Sequence, residues 1–300
     1  MSDFRVDYDA CLVEEAVLRA LPGHPEEGEF RQVRDQLYEL GDPDERDQAF
    51  RTFHGQWFQR LGLCQPLADA LGERPILRQQ TRRCAVVRAR SKKEEGAELF
   101  VSSEGRSIGV QLRPESLLDS GQLLGLLRHE FLHVADMLDP DFGYEPELHV
   151  PEEGMARRLV QDRYRVLWDA LIDGRLTREG RAPAGVRVRR FQDFARAFPM
   201  LGPDLERYFA RYFDQSGHCH ADLVSCARDP VQALGLKEVT DRRCSLCNFP
   251  SCDFEPRPED LPASLVARVM AHFPTWHPSQ GLCRQCADLY RGRALLAERA

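Results

Sequence analysis

Residues 126–138 read LLRHEFLHVADML. Two histidines four apart, with a glutamate beside the first, interrupt an apolar run. Residues four apart on an α-helix share one face, so His129 and His133 are placed to direct one ring nitrogen each at a single metal ion. Glu130 is one step round the helix. That offset takes its carboxylate off the metal and leaves it beside a metal-bound water, where it accepts a proton during attack and returns it to a leaving amine. Zinc in that position lowers the pKa of its water towards neutrality and polarises the carbonyl under attack. The competing reading is a buried helix whose histidines bond to backbone carbonyls. A five-residue pattern arises by chance often enough that its surroundings decide between the two.

Those surroundings suit a buried active-site helix. Phe131 and Leu132 between the histidines, and Leu126, Leu127 and Val134 at the flanks, are uncharged. The helix is expected from about Ser116 to Leu138, ended at Asp139-Pro140 because the residue before a proline avoids the helical region. Upstream, CAVVRAR, AELFVSS and SIGVQLRP, separated by turn-like KKEEG and SEGR, read as a small antiparallel meander. SIGVQLRP is expected to be the strand whose exposed edge holds an extended peptide. Downstream, a second long helix is expected from about Met155 to Ile172 with Gly174 as its C-terminal stop. The first 80 residues carry helical periodicity in CLVEEAVLRAL, FRQVRDQLYEL and ERDQAFRTFHGQWFQRLGL, and helical pattern returns over 183–235. The expected architecture is α+β, with a helical N-terminal region (1–80), a sheet-and-helix core (81–180), a helical connector (181–236) and a small cysteine-rich module (237–300).

On these residues the stretch 84–174 resembles the zincin superfamily of zinc metallopeptidases: a small sheet, the HEFLH helix and a later helix that offers a further ligand. The resemblance implies a peptidase with His129 and His133 as zinc ligands and Glu130 as catalytic base. A catalytic zinc usually takes three protein ligands, and several residues compete for the third place. Asp169 and Asp173, in RYRVLWDALIDGRL, form a D-x-x-x-D pattern similar to the E-x-x-x-D helix of gluzincins. There the first acid binds zinc and the second orients a ligating histidine. Carried over, Asp169 is the ligand and Asp173 its supporting partner. The departure is aspartate at the ligand position, whose shorter arm requires a closer approach of the helix. The plain alternative is a solvated acidic face with Asp169 paired to Arg165. Asp139 falls at the third-ligand spacing of metzincins, and Asp136 where they place a glycine. His149 lies sixteen residues after His133, a spacing similar to that of SprT-like proteases, and Glu152 is a further candidate. Tyr144 and Tyr164 are candidate oxyanion donors.

The tail holds Cys244-Ser-Leu-Cys247 and Cys283-Arg-Gln-Cys286, 35 residues apart. Each C-x-x-C presents two thiolates from one tight turn, and two such turns complete a closed tetrahedral site without an open position. The second pair starts a helix, as in the treble-clef and zinc-ribbon modules that this part resembles. The implied role is structural, because a short Pro-rich segment builds little core alone. Cys252, His272 and His277 are alternative ligands. His218, Cys219 and His220, with Cys226 beyond them, read either as a further metal site or as a loop and helix start. Cys11, Cys64 and Cys84 read as small core residues.

Bulk composition narrows the rest. The formal charge of −7 over 300 residues argues against a nucleic-acid binder driven by general phosphate attraction. A start without basic or long apolar character, and the absence of any run of about 18 apolar residues, point to a cytoplasmic chain without a membrane partner. The expected activity is zinc-dependent hydrolysis of a peptide or protein, with two Zn²⁺ ions, one catalytic and one structural. The alternatives are a non-enzymatic zinc-binding interaction protein and a SprT-like DNA-associated protease.

Overall fold

The period-two alternation of two short segments buries Cys84 and Val86 on one and Ile108, Val110 and Leu112 on the other. These are strands β2 (Arg83–Arg88) and β4 (Gly105–Leu112). A computed structural model describes residues 4–103, 105–146, 155–235, 243–249, 251 and 253–297, which divide into two compact units, 1–140 and 141–300. The fold is α+β.

In the first unit β1 (Arg5–Tyr8) and β3 (Gly96–Ser102) complete a four-stranded sheet of order β1-β2-β4-β3. The sheet is not the antiparallel meander expected above. β1 pairs with β2 and β2 with β4 in parallel, and only β3 and β4 run antiparallel. Arg5 lies opposite Arg83, and a parallel pair this far apart needs a crossover. It is made by α1 (Ala10–Ala20), α2 (Glu27–Leu37), α3 (Pro43–Arg60), α4 (Gln65–Gly72) and α5 (Pro75–Gln80). β4, the SIGVQLRP segment, is therefore internal, and the edges are β1 and β3. On β3 Phe100 and Val101 are exposed. The Phe100 ring lies across Gly109, where an added Cβ would come within 2.5 Å of it.

Helix α6 (Ser120–Leu138) starts later than its apolar pattern suggested. Asp119 caps it by accepting from the Gln122 N–H at 2.9 Å, and a short 3₁₀ turn over Pro114–Leu118 takes the preceding residues. Leu123, Leu127, Phe131, Val134 and Leu138 make its buried stripe and join the core formed with β2, β4, α1, α3 and α4. His129 and His133 point away from that stripe, and Glu130 lies at its margin.

In the second unit α7 (Met155–Arg178) is the central helix, packed by α8 (Val186–Ala197), α9 (Leu205–Phe213) and α10 (His220–Arg228), with α11 (Pro230–Ala233) following. Val160, Tyr164, Leu167, Leu171 and Leu176 form its buried face. Gly174 does not stop this helix, which continues to Arg178 and gives way near Gly180 in the left-handed conformation. Gly174 instead allows a close approach, since a Cβ there would sit 1.9 Å from the Phe213 carbonyl oxygen. The C-terminal module contains α12 (Ala263–His272) and α13 (Arg284–Ala297). Its small core includes Leu261, Leu265, Val269, Trp276 and Leu282 around the cysteines. Among the described residues no helix is long and apolar enough to cross a membrane.

Gly174→Ala is expected to lower the unfolding free energy by about 3 kcal/mol, the upper end for overpacking, because the obstacle is backbone. Urea denaturation measures it, with Gly180→Asn, at the left-handed helix end, expected to cost much less.

Candidate metal centres

The first centre begins with α6. One helical turn sets His129 and His133 side by side, both half-buried, with Nε2 atoms 3.2 Å apart and rings at 72°. Two imidazole nitrogens bound tetrahedrally to one zinc at about 2.05 Å lie about 3.3 Å apart, so the pair has the spacing of two ligands. The same spacing suits one N–H···N hydrogen bond when a ring carries the proton. Glu130 Oε2 accepts a hydrogen bond from the Ala97 N–H at 3.2 Å, near the start of edge strand β3. Gly96 admits the carboxylate there, for a Cβ at that position would lie 3.2 Å from Oε2.

Asp169 and Asp173 lie one turn apart on α7 and converge on Arg190 of α8. Arg190 donates from Nη1 to Asp169 Oδ2 at 2.9 Å and from Nε to Asp173 Oδ2. Burial works against the Arg190 charge, and Asp169 and Asp173 overcome it, so its pKa stands above the ordinary value. In the alternative reading Asp169 pairs with Arg165, but Arg165 pairs instead with Asp162 at 3.2 Å. Asp139 caps α6 with its N–H on the Ala135 carbonyl at 2.9 Å, the helix-stop role, and Asp136 is buried. His149, Glu152 and Cys252 lie outside the described residues.

The tyrosines have other company. The Tyr164 hydroxyl bonds His220 Nδ1 at 2.7 Å, and Tyr144 stacks on Trp168 with centroids 5.3 Å apart. His218, Cys219 and His220 serve separate purposes. His218 Nε2 bonds the Arg211 carbonyl, Cys219 caps α10, and His220 is buried among Phe142, Tyr144 and Tyr164. Burial, opposed by Glu145, holds the His220 pKa below its usual value. Cys84 is a core residue whose thiol burial pushes up to about 12, whereas Cys11 is exposed, at a position on α1 that faces away from the core.

The second centre is compact. Cys244, Cys247, Cys283 and Cys286 are all buried, and their sulfur atoms lie within 4.8 Å of one another. The Cys244–Cys286 and Cys247–Cys283 separations are both 3.9 Å. Four sulfurs bound tetrahedrally to zinc at about 2.3 Å stand about 3.8 Å apart, so the set fits such an ion without rearrangement. Local backbone makes this possible. Cys244 N–H bonds the Phe249 carbonyl and Asn248 N–H bonds the Cys244 carbonyl, each at 2.9 Å, closing a turn through Asn248 at φ 59°. Backbone N–H groups of Cys283 and Leu246 point at Cys244 Sγ, at 3.2 and 3.5 Å. Cys286 lies in the first turn of α13, where the helix dipole favours a thiolate. Contacts with Cys247, Cys283 and Cys286 push Cys244 well below the ordinary thiol range and Cys247 is lowered too, while Cys286 is driven up by Cys244 and Cys247. A divalent ion supplies the positive charge that four buried thiolates require. His272 and His277 are engaged elsewhere, with Tyr290 and Ser279.

Comparison with protein-family models, curated proteins and solved structures finds no match to this chain. Both centres therefore stand on their own chemistry. Sequence reasoning missed Ala97 and Arg190 as partners of Glu130 and Asp169. Neither carries a local signal.

Cys247→Ser is expected to lose one equivalent of bound metal and to expose the module to limited proteolysis. Metal analysis of the purified protein checks this, and Cys11→Ser, at an exposed thiol, should retain full metal content.

Proposed function

We propose that the chain is a zinc-dependent metallopeptidase of zincin type, with His129, His133 and Asp169 as ligands of a catalytic zinc, Glu130 as general base and the four cysteines holding a structural zinc. The observation that carries the reading is the pairing of two ligand-spaced imidazole nitrogens on α6 with a neighbouring carboxylate fixed at the edge of the sheet. A zinc ion held by the imidazoles supplies an activated water and polarises a carbonyl.

The chain's own residues account for the remaining requirements. The Ala97 N–H holds Glu130 by Oε2, leaving Oε1 to take the proton of an attacking water and pass it to the departing amine. β3 is one of the two sheet edges, the one beside Glu130, and its unpaired side accepts an extended peptide as an added strand. A strand laid there is led along the backbone to Ala97 and so to the carboxylate. Asp169 is proposed as third ligand from the D-x-x-x-D pattern, with Arg190 fixing the direction of its carboxylate.

Glu130→Gln keeps the size and the Ala97 contact but removes the base. It is expected to reduce hydrolysis of a degenerate peptide library by at least about 10²-fold while zinc content stays the same. Near-equal activity of the two proteins removes Glu130 from the mechanism. His129→Ala should lower zinc from two equivalents to one, and Asp169→Asn should weaken the same equivalent. A stoichiometry of one that His129→Ala leaves untouched favours instead a non-enzymatic zinc-binding interaction protein.

A further inference from the structure

Among the described residues Arg163 of α7 is the bulkiest fully buried side chain, with 1% of its surface exposed. A buried guanidinium needs an acid nearby, since an unpaired charge in a protein interior costs several kcal/mol. Among the described residues its hydrogen bonds supply none: Nε donates to the Ala197 carbonyl at 3.2 Å, Nη2 donates to Gln285 Oε1 at 3.1 Å, and Nη1 has no partner. Its other contacts are aromatic faces, Phe249 at 4.8 Å and Phe198 at 5.7 Å.

Two of these contacts identify what the charge faces. Phe249 follows the Cys244–Cys247 turn and accepts the Cys244 N–H, and Gln285 lies between Cys283 and Cys286. Arg163 is thus seated against both C-x-x-C turns at once. Four thiolates around a divalent ion carry two negative charges in excess, in a buried place where backbone N–H groups of Leu246, Cys283 and Cys286 also face the sulfurs. We infer that Arg163 is the counter-cation of the metal-loaded four-cysteine centre, tying α7 to the C-terminal module by charge as well as by packing. Burial pulls the guanidinium pKa down and the cysteines, Cys247 and Cys283 foremost, oppose the fall. Gln285 extends the tie to α8, donating to the carbonyls of Ala197 and Arg196 at 2.6 and 3.1 Å. With the metal gone, protons return to the thiols and the negative charge that Arg163 faces is no longer fixed. Metal loss therefore loosens α7, the helix that carries Asp169. The inference rests on metal at the cysteines and is independent of the peptidase reading.

The test uses the full chain in a His129→Ala background, so that zinc is titrated at the cysteines alone, in competition with a chromophoric chelator. Arg163→Met, similar in length and uncharged, is expected to weaken zinc binding on the order of 10- to 100-fold. Arg163→Lys, which keeps the charge, should recover most of that loss, and Gln285→Leu, which removes a hydrogen bond but leaves the cation, should change affinity little. With cobalt in place of zinc, Arg163→Met should move the thiolate-to-metal charge-transfer band to lower energy, a shift that loss of packing alone does not produce. Equal affinities for Arg163→Met and the parent overturn the inference, as does equal weakening by the methionine and lysine variants. Should Arg163→Met fail to fold, a larger loss in Arg163→Lys than in Gln285→Leu overturns it. A parent protein that takes up no metal at the cysteines does so too.

Discussion

The two-faced character of α6 is the constraint on which the first centre depends. Leu123, Leu127, Phe131, Val134 and Leu138 bury one stripe against the core. At about 2 kcal/mol for each side chain, their burial is worth on the order of 10 kcal/mol, an upper figure because an unfolded chain already hides part of that surface. A hydrogen bond between His129 and His133 contributes about 1 kcal/mol. The approach of the two imidazoles therefore follows from where the apolar stripe seats the helix and does not itself hold the helix in place. Turning α6 by one residue would carry Glu130 into the core and take it from Ala97. The stripe and the polar residues thus have to be read together, as one pattern of period 3.6.

α7 faces a different problem, because charged side chains occur on its buried side. Asp173 and Arg163 are both nearly inaccessible, and each is ten residues from the other along one helix. Asp173 is neutralised within the helical unit by Arg190, which it shares with Asp169. Arg163 has no carboxylate among the described residues and lies against the cysteine turns. The charge on one is settled by a neighbouring helix and that on the other by the metal-binding module. Gly174 completes this arrangement by letting α9 come within backbone contact, where Arg178 donates to the Phe213 carbonyl.

Legibility in the sequence follows the range of the interaction. The His129–His133 pair and each C-x-x-C turn are local geometry, set within one helical turn or one tight turn. The spacing therefore reports the arrangement directly. The long helices were legible for the same reason, and so was the α+β class. The sheet was not. Four residues, Arg5–Tyr8, are too few to stand out before a helical stretch, and their partner begins at Arg83. Without β1 and its crossover the remaining strands read as a meander, and β4 took the edge position that belongs to β3. Gly174 looked like a helix stop because the carbonyl that requires it comes from Phe213, 39 positions on.

What the sequence by itself determined is the set of donor groups and their pairwise spacing: two imidazoles and a carboxylate on one helix, and two pairs of thiols. Those depend only on helical and turn geometry, which every chain shares. Tertiary structure decided which strand lies at the edge, that Ala97 holds Glu130, that Arg190 rather than Arg165 holds Asp169, and that the four sulfurs meet at tetrahedral spacing. Each of these is a contact between residues far apart in the chain, fixed by how apolar surfaces pack, and packing is a property of the whole core rather than of any short stretch of residues.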